Sequence, residues 1–129
     1  MSFTLDTSAY SAFNRGDKRL RKWFTSDNDI VVTIIVIGEL RAGFVAGNKR
    51  KKNEELLQRF LDSPNVYAQT ITDKTTVIYS QIYLSLRQKG KPIGTNDMWI
   101  AAIALEMDNE LLTLDEAFSY IPDLMLGSI

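Results

Sequence analysis

Phe3-Thr4-Leu5-Asp6-Thr7-Ser8 is an apolar run that stops on three residues of helix-capping type, the form taken by a buried strand that feeds directly into a helix. In that reading Asp6 stands at the carboxyl end of the strand, and the competing use of its side chain is to cap the helix. Similar strand signals recur downstream. Ile30-Val31-Val32-Thr33 is β-branched, as a second strand should be, and helix follows from near Ile34. Val66-Tyr67-Ala68, after the Ser63-Pro64-Asn65 turn, predicts a third strand. Leu111-Leu112-Thr113 predicts a fourth, ending at Asp115, and Leu124-Met125-Leu126 is a candidate last strand.

Helices fill the intervals. Leu20, Trp23 and Phe24 predict a short amphipathic helix behind Asp17, and Lys49 to Phe60 predicts another with Leu56, Leu57, Phe60 and Leu61 inward. A long helix starts after Thr72 and closes at Gly90, one capped by Thr95-Asn96 carries Ile100 to Met107, and a short one covers Glu116 to Tyr120. Alternating short strands and helices predict an α/β fold, a short, mainly parallel sheet of four to five strands flanked by helices. With 129 residues the chain forms one domain spanning 1–129.

Composition limits the chemistry. There is no Cys and no His, which excludes histidine-based triads, zinc sites built on thiolate or imidazole, haem ligation and histidine acid–base nucleases. Catalysis must rest on carboxylates, Lys, Tyr, hydroxyls or a hard metal ion. No apolar run approaches a membrane span, and the start, Met1 to Asp6, lacks the basic and apolar regions of a signal peptide, so a cytoplasmic location is expected. Net charge is −1, yet residues 1–60 hold 11 bases and 7 acids while residues 61–129 hold 4 bases and 9 acids. The chain has a basic half and an acidic half.

In an open parallel sheet ligands bind beyond the carboxyl ends of the strands. Asp6 and Asp115 end strands, Asp97 begins a helix, and Glu39 lies about a turn into the helix after the second strand, so four carboxylates converge on one edge. Glu39 falls on a stripe with Ile35, Ala42 and Ala46, which predicts an inward carboxylate needing a partner or a metal. Clustered acids repel one another unless a cation compensates, and Mg²⁺ or Mn²⁺ among carboxylates supports phosphodiester hydrolysis without any histidine. The basic half would guide a polyanion. The plainer readings are caps for Asp6 and Asp115, a helix-dipole partner for Asp97, a solvated face for Lys49 to Lys52, and core positions for Trp23, Trp99 and Phe118.

Taken together, these segments resemble the PIN-domain family and, within it, the VapC-like ribonuclease toxins of toxin–antitoxin pairs. The resemblance covers nearly the whole chain. It rests on Leu5-Asp6-Thr7-Ser8, on Gly38-Glu39-Leu40 with Gly43, on Gly90-Lys91-Pro92-Ile93-Gly94-Thr95-Asn96-Asp97 running into Trp99-Ile100-Ala101-Ala102, and on Leu112-Thr113-Leu114-Asp115 followed by Phe118. It implies a PIN fold and a metal-dependent endoribonuclease leaving a 5′-phosphate and a 3′-hydroxyl. Asp6, Glu39, Asp97 and Asp115 would be the catalytic quartet binding Mg²⁺ or Mn²⁺, with Thr7, Asn96 and Thr113 in support. It also implies an RNA substrate such as tRNA or rRNA, a small antitoxin protein as partner, and a homodimer. Leu114 departs from the family, where many relatives carry a polar or basic residue.

Other Asp-based α/β families fail on spacing. A haloacid-dehalogenase phosphatase needs an Asp where Ser8 stands, a receiver domain needs paired acids at the first strand, and a P-loop or dinucleotide fold needs a glycine-rich first turn. Two alternatives remain from the residues: a non-catalytic PIN module that binds RNA or protein, and an RNA-processing nuclease without an antitoxin.

Overall fold

A computed structural model describes residues 1–129. The elements in chain order are β1 (Ser2–Leu5), α1 (Thr7–Asn14), β2 (Asp29–Thr33), α2 (Ile34–Ala46), α3 (Arg50–Leu61), β3 (Val66–Gln69), α4 (Asp73–Lys89), α5 (Thr95–Glu106) and β4 (Glu110–Leu112), with 3-10 turns at Lys18–Leu20 and Glu116–Tyr120. All four strands are parallel, in the order β3-β2-β1-β4. Successive side chains of β1 point to opposite faces, and Phe3, Thr4 and Leu5 are all buried, so helices cover both faces of the sheet. The expected α/β fold is therefore present. No helix is long and apolar enough to cross a membrane.

Three expectations are corrected. Leu20 to Phe24 is not an amphipathic helix but a 3-10 turn at Lys18–Leu20 followed by irregular chain. The reason is aromatic: Trp23 and Phe24, adjacent in sequence, both set their edges against Phe3 at 5.3 and 6.1 Å, and neighbours on a helix point about 100° apart. The last strand reduces to one bridge, Leu111 to Leu126. On α2 the buried residues are Val36, Ile37 and Leu40, not the stripe through Ala42 and Ala46, which are exposed. That helix is apolar nearly all round, so its periodicity could not choose a face. Glu39 stands at the border of the buried face, half-exposed.

The α4–α5 hairpin sets the height of Asp97. Gly90 closes α4 in the left-handed region, φ 65°, where a side chain would be strained. Thr72 and Thr75 form a capping box at the start of α4, and both hydroxyls also reach Glu106 at the end of α5. This joins the positive end of one helix to a carboxylate on its antiparallel neighbour. Trp99 stacks on Tyr79 of α4 at 3.9 Å and is half-buried, as is Trp23, whereas Phe118 is the core residue expected.

Candidate active site

Parallel strands end on one edge, and strand order decides what meets there. The chain leaves β1 toward β2 and later returns to β4 on the opposite side, so the crevice opens between the carboxyl ends of β1 and β4. Asp6 follows β1, Thr113 and Asp115 follow β4, Glu39 rides on α2 as it leaves β2, and Asp97 sits in the first turn of α5. Along the edge the carboxylates run Glu39, Asp6, Asp115.

Asp6 is 4% exposed and occupies the N-cap position of α1, yet its side chain makes no cap hydrogen bond. Its Oδ2 instead accepts from Ser8 Oγ at 2.8 Å and from Thr113 Oγ1 at 2.6 Å. Each hydroxyl in turn accepts a backbone N–H: Leu114 donates to Ser8 Oγ and Asp115 to Thr113 Oγ1, both at 3.0 Å. Hydroxyls that accept from amides and donate to a carboxylate polarise one another, which fixes Oδ2 and leaves Oδ1 with no hydroxyl partner. The cap reading of Asp6 therefore gives way.

Glu39 is held as firmly. Thr7 Oγ1 donates to Oε1 at 2.7 Å and Asn96 Nδ2 donates to Oε2 at 3.3 Å, so α1 and α5 both orient a side chain that belongs to α2. For Asp115 the cap reading holds in part. Its Oδ1 accepts from Ala117 N–H at 2.9 Å at the start of the 3-10 turn, and the residue is exposed. The structure thus brings each of Thr7, Asn96 and Thr113 to a carboxylate or its support. Sequence reasoning overlooked the role of Ser8, although two hydroxyl residues directly after a strand-end Asp were its signal. Leu114 serves through its amide, which is indifferent to side-chain type.

Electrostatics show that these groups share one field. Burial, and then the negative charges of Asp6, Asp115 and Glu39, push the Asp97 carboxyl up to about 6. Burial also raises Asp6, against the hydrogen bonds from Thr113, Ser8 and the Thr7 amide, with Glu39 adding to the rise. No group of three Asp or Glu side chains stands in metal-holding geometry. The donor set is nonetheless all oxygen, with surplus negative charge, and Mg²⁺ is normally held by only one or two carboxylates together with water and a substrate phosphate. The residues fit a hard divalent ion of that kind.

Comparison with known proteins identifies the family. The family model of the PIN domain matches residues 3–124. The chain belongs to the PIN-domain family. Among similar PIN proteins, Ribonuclease VapC2 of Rickettsia felis is 33% identical over 101 residues, which are 78% of this chain and 74% of the relative. The VapBC2 structure from Rickettsia felis, bound to a DNA fragment from their promoter, superposes with a TM-score of 0.84 at 29% identity and covers 98% of each chain. DNA-bound VapBC from Salmonella typhimurium shares the fold, with a TM-score of 0.86 at 21% identity over 98% of this PIN domain and 97% of that chain.

Proposed function

We propose that this PIN domain is a metal-dependent endoribonuclease and the toxin of a toxin–antitoxin pair, hydrolysing RNA phosphodiester bonds in the cytoplasm. The observation that carries this reading is the meeting on one sheet edge of Asp6 after β1, Glu39 on α2, Asp97 at the start of α5 and Asp115 after β4, with Asp6 held by Ser8 and Thr113 and Glu39 by Thr7 and Asn96. A cluster that strains its own charge is stabilised by a cation, and function-bearing sites are where such strain collects. Asp6, Glu39, Asp97 and Asp115 would hold Mg²⁺ or Mn²⁺. When bound, such an ion lowers the pKa of water and neutralises charge developing on a phosphoryl oxygen.

The chain's own residues supply position. Ser8 and Thr113 hold Asp6 Oδ2, and Thr7 with Asn96 holds the two oxygens of the Glu39 carboxylate. Ligands held by such outer hydrogen bonds bind metal more tightly and in one orientation. The VapBC names of the structural neighbours support a small protein partner that blocks the crevice, and the family reading adds a homodimer and a structured RNA target such as tRNA or rRNA.

The test is cleavage of total cellular RNA by the purified chain in Mg²⁺ or Mn²⁺ and in chelator, beside Asp97→Asn and Asp6→Asn. Discrete fragments that require metal and vanish in both variants are expected. Intact RNA from folded, inhibitor-free protein would leave the non-catalytic binding module in its place.

A further inference from the structure

One hydrogen bond would orient the Asp6 carboxylate, and a single one of its oxygens receives two. A carboxylate oxygen has two lone pairs. On Oδ2 both are taken, one by Ser8 Oγ at 2.8 Å and one by Thr113 Oγ1 at 2.6 Å. Neither hydroxyl is free to turn away. Ser8 Oγ accepts from the Leu114 amide and Thr113 Oγ1 from the Asp115 amide, each at 3.0 Å, so the one proton on each hydroxyl is directed to Oδ2. The two hydroxyl oxygens stand 3.2 Å apart, and with both protons committed neither donates to the other. Oδ2 is closed, and coordination of a cation is left to Oδ1.

Two more of the four acids are engaged in a related way. Asp115 Oδ1 accepts from the Ala117 amide at 2.9 Å, and Glu39 carries Thr7 on Oε1 and Asn96 on Oε2. None of Asp6, Glu39 and Asp115 presents two unengaged oxygens of one carboxylate.

Divalent cations differ in what they ask of a carboxylate. Ca²⁺ gathers about six to eight oxygens and readily takes both oxygens of one carboxylate, whereas Mg²⁺ demands an octahedron, keeps several waters and takes one oxygen from each of one or two acids. Mn²⁺ suits the same octahedral oxygen set. A site that withholds second oxygens therefore penalises Ca²⁺ more than the smaller ions.

We propose that Ser8 is the ion-selectivity residue of this site: with Thr113 it closes Asp6 Oδ2, limits Asp6 to one coordinating oxygen, and so favours Mg²⁺ or Mn²⁺ over Ca²⁺. The inference rests on the metal reading above. Ser8 acts through Asp6 and is a positioning residue. A purely structural Ser8, tying the start of α1 to the Leu114 amide, would lower the affinity for every ion alike, so the ratio of two affinities separates the roles.

Calorimetric titration of the metal-free, full-length protein at pH 8 with Mn²⁺ and, separately, with Ca²⁺ reads that ratio with no RNA present. Wild type is expected to bind Mn²⁺ more tightly than Ca²⁺. Ser8→Ala is expected to reduce this preference roughly tenfold, with Mn²⁺ binding weakened and Ca²⁺ binding unchanged or strengthened, and Ser8→Thr, which keeps the hydroxyl, to retain it. Thr113→Val opens the same oxygen from the β4 side and is expected to move the ratio in the same direction, so the result does not depend on one variant. Thermal unfolding in chelator confirms that each variant is folded. Equal losses for both ions, or an unchanged preference, in Ser8→Ala and Thr113→Val would overturn the assignment and leave the metal site standing. Wild type that binds no Mn²⁺ would refute the metal reading and the selectivity with it.

Discussion

Thr113 Oγ1 donates to Asp6 Oδ2 at 2.6 Å across 107 positions of sequence, and the Asp115 amide donates to the same hydroxyl. One side chain thus joins the end of β1 to the end of β4 and orients an acid that it does not touch in sequence. That bond also pulls the Asp6 carboxyl downward, partly opposing the rise that its burial causes.

Replacing Thr113 with Val keeps the shape and removes the hydroxyl. The Asp115 amide and Asp6 Oδ2 each lose a partner, which predicts a loss of about 1–3 kcal/mol in stability and a fall of roughly 10- to 100-fold in metal-dependent cleavage. Thr113→Ser retains the hydroxyl and is expected to keep most of both. Denaturant unfolding and initial cleavage rates measure the pair.

Asp97→Asn is expected to abolish cleavage and yet stabilise the metal-free fold at pH 7. The sign follows from the proton count. The folded carboxyl titrates near 6 and the unfolded one near its ordinary value, so between those values the folded state holds more protons and stability falls as pH rises. A shift of roughly two units corresponds to at most about 3 kcal/mol; the half-exposed position reduces this to roughly 1 kcal/mol. In chelator, the advantage of Asp97→Asn over wild type should be larger at pH 7 than at pH 5; an equal pH dependence of the two would refute the buried charge.

A cation competes with that proton. Mn²⁺ affinity, followed by titration calorimetry, is expected to be constant above pH 7 and to fall below pH 6, by up to about tenfold per unit if one proton is displaced. In the same range added Mn²⁺ should raise the melting temperature of wild type through binding to the folded state alone. Asp6→Asn should show neither effect.

Gly127 lies where the chain's end pairs alongside β4, and a Cβ there would stand 2.9 Å from two ring atoms of Trp23 and 3.3 Å from Leu112 Cδ1. The Trp23 ring is fixed by its edge contact with Phe3 and by donating Nε1–H to the Ser128 carbonyl at 3.1 Å. Gly127→Ala is therefore expected to cost about 1–3 kcal/mol by overpacking, read as a lowered denaturant midpoint. Unchanged stability would mean that the tail lifts away freely.

Much of the site could be read in the chain because its acids sit at punctuation marks. Asp6 ends an apolar run, Asp115 ends another, and Asp97 follows a Gly-Thr-Asn helix start, so the period of the pattern and the residues that interrupt it were enough to put all three on one edge. Glu39 was placed on the right helix, but the stripe through Ala42 and Ala46 was the wrong one, because α2 is apolar on nearly every side and only Val36, Ile37 and Leu40 turn out to be buried. Ser8 escaped notice because its role depends on Leu114, 106 positions away.

Local sequence determined the four strands of the sheet and most of the helices, since these depend on residues within a turn or two of one another, and composition alone set the absence of histidine and thiol chemistry and the division of charge between the two halves. Only the tertiary structure decided the order β3-β2-β1-β4, the grip of Thr113 on Asp6 and of Thr7 and Asn96 on Glu39, and the rise of Asp97 to about 6. Those depend on distances between groups far apart in the chain, and on how far packing removes each carboxylate from water.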